Sequence, residues 1–90
     1  MINIIICDDQ ENQRRDLKGI IKSYLELKGL TCSFGEFANG GELLASPQEK
    51  AADIIFLDIE MPGIDGLETA KILRRRNNAA VIIFVTAYDD

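Results

Sequence analysis

The ninety residues predict one small α/β domain with a parallel sheet and helices on both faces. Three short runs rich in Ile and Val, Ile2–Cys7, Asp53–Leu57 and Val81–Val85, suit strands buried on both sides. Helical patterns fall between them. Right-handed crossovers then put those helices on the two faces of one sheet. An apolar fraction of 47% is enough for a folded core and excludes bulk disorder.

The elements follow in the order β-α-β-α-β-α-β. Ile2–Cys7 is continuous except for Asn3. Leu17, Ile20, Ile21, Tyr24 and Leu25 then recur at helical spacing, and Gly29 stands where that helix stops. Thr31–Phe37 (TCSFGEF) is more polar and fits an edge strand. Asn39 with Glu42 forms a capping-box pattern ahead of Leu43 and Leu44. Asp53–Leu57 is the third strand. Asp65 with Glu68 repeats the capping pattern ahead of Leu67, Ala70 and Leu73. Val81–Val85 is the fourth strand.

Composition excludes several functions. Fifteen acidic against ten basic residues leave a net charge of −5, which argues against direct nucleic-acid binding by this chain. The one basic run, Arg74–Arg76, falls at a predicted helix end, where a cation favours the dipole. There is no histidine, so histidine catalysis and histidine metal ligands are excluded. Cys7 and Cys32 fall at opposite ends of neighbouring strands and predict buried free thiols in a reducing compartment. The apolar start reaches Asp8 and Asp9 too soon for a signal peptide or a membrane span. A cytoplasmic protein is expected.

In a parallel sheet the C-terminal strand ends share one edge, where ligands bind. Here the first strand brings Asp8 and Asp9 to that edge, the third brings Asp58 and the fourth brings Thr86. Each alone has a structural reading: Asp8 and Asp9 as helix caps, Asp58 as a loop-start residue, Thr86 as an ordinary strand end. Together they predict a site. Three carboxylates in one crevice repel one another unless a cation sits among them. With oxygen donors only, that cation is Mg²⁺ or Mn²⁺, which leaves positions for phosphate oxygens and an Asp as nucleophile.

With these residues in place, the sequence resembles the receiver domains of two-component response regulators, the CheY-like domains. The resemblance rests on Ile6–Gln10 (ICDDQ), Phe56–Glu68 (FLDIEMPGIDGLE) and Phe84–Asp90 (FVTAYDD), and covers residues 1–90 as one receiver domain. It implies a flavodoxin-like sheet of four strands in the order 2-1-3-4 with three helices. Asp58 is then the phospho-acceptor. Asp9 binds Mg²⁺ directly, Asp8 binds or orients it, and the backbone carbonyl of Glu60 completes the protein ligands. Thr86 is the switch hydroxyl, and Ala87 supplies the small residue beside the phosphoryl group. Met61-Pro62 and Asp65-Gly66 shape the loop after Asp58. Glu60 and Tyr88 are expected at the mouth of the site. The donor is a phospho-histidine on a sensor histidine kinase, and the chain catalyses at most its own phosphorylation and dephosphorylation. The start and end look most like receivers that precede LytTR-type DNA-binding domains.

The family pattern continues past this chain with a fourth helix, a fifth strand bearing a Lys, and a fifth helix. Only four residues follow Thr86 here, and none is Lys. A C-terminally cut receiver is therefore expected, with impaired phosphotransfer and an open edge on Val81–Val85 that self-associates. Two other readings stand beside the signalling switch: an inert fragment that keeps only the metal site, and a Mg²⁺-dependent aspartyl-phosphate hydrolase. The hydrolase is disfavoured because position 60 is Glu rather than a second Asp, and because the nucleophile follows the third strand instead of the first.

Overall fold

Strand and helix alternate in the predicted order, with one addition. The computed structural model of the chain describes residues 1–85. β1 spans Ile2–Cys7, α1 Glu11–Leu27, β2 Cys32–Phe37, α2 Gly40–Ala45, β3 Ile54–Asp58, α3 Gly66–Arg75 and β4 Val81–Val85. The addition is a short 3-10 helix, Pro47–Ala51, between α2 and β3. Pro47 starts it without loss, because its missing N–H has no partner in a first turn. The Ser46 hydroxyl accepts from the Gln48 N–H at 3.1 Å.

The helix ends obey local chemistry. The Asn39 side chain accepts from the Glu42 N–H at 2.9 Å, and Glu42 reaches back to the Ala38 N–H at 3.2 Å. Asp65 caps α3 through the Glu68 N–H at 2.8 Å. α1 closes at Gly29, whose φ of +70° is favoured only by glycine. The Gly29 and Leu30 N–H groups return to the carbonyls of Glu26 and Leu25, a Schellman closure. α3 ends the same way with Asn77 at φ +61°, which asparagine tolerates better than most residues.

All strand pairs are parallel, and the order is β2-β1-β3-β4, as expected. Residues of alternate parity along the strands face opposite layers. Ile5, Cys7, Ile55 and Leu57 pack with Leu43 of α2 and Leu73 of α3 as the main core. Ile4 and Ile6 are equally buried and face the other way. On that second face α1 covers less than its pattern predicts. Ile21 and Leu25 are partly buried, but Ile20 is 69% and Tyr24 57% exposed, and no residue of α1 is fully buried. Helical spacing shows which side of a helix is apolar, not how much of that side is covered.

Cys32 pairs across the sheet with Ile2, five residues before Cys7, so the two thiols lie about 16 Å apart along the strands and stay free. Among the described residues, no helix is long and apolar enough to cross a membrane.

Candidate functional site

Strand register creates the site. Cys7 pairs with Leu57, so Asp8 and Asp58 leave adjacent strands at the same level, one residue further on. The Asp8 N–H donates to the Phe37 carbonyl at 3.0 Å, which extends the β1–β2 ladder up to the acidic pair. Asp8 does not cap α1. The N-cap is Gln10, which makes no side-chain cap bond, and Asp8 Oδ1 instead accepts from the Gln10 N–H at 2.9 Å. The capping reading is thus corrected to a tight turn that fixes the Asp8 carboxylate before the helix begins.

The loop after Asp58 is anchored at both ends. Asp58 Oδ1 accepts from the Glu60 N–H at 3.3 Å, and the Ile59 N–H meets the Val85 carbonyl at 3.4 Å. Met61 is buried, its Sδ 3.7 Å from Cys7 Sγ, and pins the loop to the core. Gly63 turns the chain at φ +77°. Gly66 brings it back: its N–H donates to the Ile59 carbonyl at 2.8 Å, and a Cβ there would overlap the Asp58 carbonyl. Glycine is required at 66 for this close approach rather than for its φ.

Oxygens of Asp8, Asp9 and Asp58 all lie within 4.8 Å of one another. Asp8 and Asp58 are only 5% and 7% exposed, whereas Asp9 is open to solvent. Burial pushes the Asp58 carboxyl above the ordinary carboxylate range, the Asp8 charge pushes it further, and the Glu60 N–H partly opposes the shift. Asp8 is raised for the same first reason, its hydrogen bond from Gln10 pulling the other way. Burial also lifts the Cys7 thiol to about 12, with the charges of Asp8 and Asp58 adding to it, and its sulfur sits against Met61 Sδ at 3.7 Å, outside the carboxylate cluster. What remains is a cluster of hard oxygen donors carrying more negative charge than its burial favours. That donor set fits a small oxygen-loving divalent cation such as Mg²⁺.

Glu60 is exposed, and its charge also raises Asp58, in keeping with a place near the mouth. Thr86, Ala87 and Tyr88 lie outside the described residues. Two residues at the site escaped the sequence reading. Arg14 Nη1 donates to the Asp8 carbonyl at 2.6 Å, and Arg14 Nε donates to Glu36 Oε1 at 3.4 Å. The available signal was a cation near the N-terminus of α1, where it opposes the helix dipole and needs another reason to be there.

Comparison with known proteins agrees with this geometry. The family model for the response regulator receiver domain matches residues 4–90. Sensory transduction protein LytT of Oceanobacillus iheyensis is 38% identical over 98% of this chain, which spans 35% of that protein's length. The chain thus covers about a third of that curated relative. Response regulator TrrA of Thermotoga maritima, solved in complex with Mg²⁺-BeF, superposes with a TM-score of 0.82 at 36% identity, covering 99% of this chain and 72% of that one. The structure of TrrA in complex with histidine kinase ThkA matches with a TM-score of 0.70 at 38% identity, covering 100% and 72%. Parallel order, acidic edge and matched sequence converge: the chain belongs to the response regulator receiver domain family.

Proposed function

We propose that this chain is a phospho-acceptor switch in which Asp58 receives a phosphoryl group from a phospho-histidine of a sensor kinase. The observation that carries the reading is the convergence of Asp8, Asp9 and Asp58 oxygens within 4.8 Å at the C-terminal edge of the sheet. Asp8, Asp9, Asp58 and the Glu60 carbonyl would hold Mg²⁺, which supplies positive charge to offset both the crowded carboxylates and the phosphoryl oxygens. An Asp58 oxygen attacks phosphorus in line, the P–N bond to the donor histidine breaks, and an acyl phosphate is left on Asp58. The Glu60 N–H, already on Asp58 Oδ1, holds the carboxylate in orientation. Thr86 supplies the hydroxyl that responds to the phosphoryl group. No other reaction is assigned to the chain.

The neighbour solved with Mg²⁺-BeF supports the metal, and the neighbour solved with its histidine kinase supports the donor. Residues 1–90 act as one receiver domain in the cytoplasm. Resemblance to LytTR-type receivers makes the output transcriptional, through a DNA-binding partner domain and not through this acidic chain. Val81, Ile83 and Phe84 of β4 are 58%, 40% and 42% exposed on an outer strand, which supports self-association through Val81–Val85. A monodisperse monomer in light scattering at tens of micromolar would sink that last element alone.

The deciding experiment is intact mass after incubation with acetyl phosphate and Mg²⁺, beside an Asp58→Asn control. One added phosphoryl group, absent from the control, is expected. No gain, or an equal gain in the control, overturns the assignment.

A further inference from the structure

Asp8 is held at three points, and one of them is unusual. Its N–H is bound by β2 through Phe37, and its carboxylate is bound by the turn through Gln10. Its carbonyl is bound by the guanidinium of Arg14 at 2.6 Å, on a side chain only 15% exposed. Arg14 thus directs its shortest contact to a neutral carbonyl, and its ion pair goes to Glu36 rather than to the carboxylate of Asp8 or Asp9. The other end of the guanidinium is fixed by Glu36 at 3.4 Å, which Lys18 also meets at 3.4 Å.

That carbonyl belongs to the Asp8–Asp9 peptide. A peptide is planar, so fixing its oxygen fixes the direction in which Asp9 leaves the chain. We propose that Arg14 is a positioning residue that locks the Asp8–Asp9 peptide so that both carboxylates meet a divalent cation together with Asp58. Glu36 in turn holds Arg14 in place. The inference rests on the proposed metal site and adds a residue that touches neither metal nor phosphoryl group.

The sign of the effect separates this role from simple electrostatics. Removing a cation beside an acidic site strengthens cation binding if charge is all that matters. Removing a positioning group weakens it, and outer partners of metal ligands typically contribute about 10–100-fold in affinity. The test is a Mn²⁺ titration followed by electron paramagnetic resonance on the whole chain, with thermal melts in EDTA alongside. Arg14→Met is expected to bind Mn²⁺ about tenfold more weakly. Arg14→Lys should recover part of the loss, since one ammonium N–H can reach the carbonyl. Unchanged or tighter binding in Arg14→Met overturns the proposal, as does a melting-temperature loss without an affinity change. Should Arg14→Met fail to fold, Arg14→Lys decides by the same criterion, with weaker binding than the native chain required. If the native chain binds Mn²⁺ no better than Asp58→Asn, the metal site itself fails and the role of Arg14 falls with it. If only the Arg14 variants match the native chain, the site stands and the positioning role alone is wrong.

Discussion

Replacing Asp58 by Asn should stabilise the metal-free chain while abolishing its proposed chemistry. Asp58 is 7% exposed, and its oxygens share a sphere of 4.8 Å with those of Asp8 and Asp9. Two unit charges at that separation repel by about 3–4 kcal/mol at an effective dielectric constant of 20, and by about 1 kcal/mol in water. The Asp8–Asp58 pair is buried and lies toward the first limit. The pair with Asp9 is solvent-exposed and lies toward the second. Solvent screening at this open edge reduces the repulsion, which leaves about 2 kcal/mol as the expected gain at pH 7 and low salt. Asn is nearly isosteric, and its Oδ1 can still accept from the Glu60 N–H, so little is lost in return. For a domain of this size the gain corresponds to a rise in melting temperature of about 10 °C. The assay is thermal melting by circular dichroism in EDTA, then in millimolar Mg²⁺. The native chain should gain more from Mg²⁺ than the variant, narrowing or reversing the difference. A variant that melts at or below the native temperature in EDTA would refute the claim that like-charge crowding stresses this edge.

The pH dependence follows the same logic. Asp8 and Asp58 both have folded-state values raised above the ordinary 3.8, so the folded metal-free chain binds more protons than the unfolded chain just above that pH. Stability should therefore fall as pH rises from about 3.8 through the raised folded values. Denaturant midpoints measured in EDTA check it, and a rise over that interval would contradict it. Gly66→Ala should destabilise by about 2 kcal/mol or more, because its Cβ meets the backbone carbonyl of Asp58 rather than a movable side chain. A urea midpoint equal to the native one would show that the loop relaxes freely. Asp65→Ala should lose about 1 kcal/mol through the cap of α3, and Asp65→Asn much less, again by urea titration. Cys7 should resist a disulfide reagent at pH 8 until the chain unfolds, because burial and two neighbouring carboxylates hold its thiol near 12. Prompt labelling of Cys7 in the native state would show that β1 is not packed as described.

Local chemistry by itself determined much of this protein. Apolar runs of five or six residues marked β1, β3 and β4 within a residue; β1 and β3 are the inner, buried strands that such runs suit, whereas β4 is an outer strand with Val81, Ile83 and Phe84 exposed. Asn39, Asp65 and Gly29 set helix ends through backbone groups within a few residues of themselves. Chain order and the handedness of crossovers sent Asp8, Asp9 and Asp58 to one edge, which is why the acidic site was legible before any coordinate. Only tertiary structure decided what depends on distance through space. The Cys7–Leu57 register made Asp8 and Asp58 level neighbours, and burial of both then made their charges costly. The reach of Arg14 back over the turn to the Asp8 carbonyl has no signature in spacing, because it joins a helix side chain to a backbone oxygen. The partial cover of α1 was hidden for a related reason. Periodicity reports which side of a helix is apolar, whereas the exposure of Ile20 and Tyr24 depends on what the rest of the fold lays against that side.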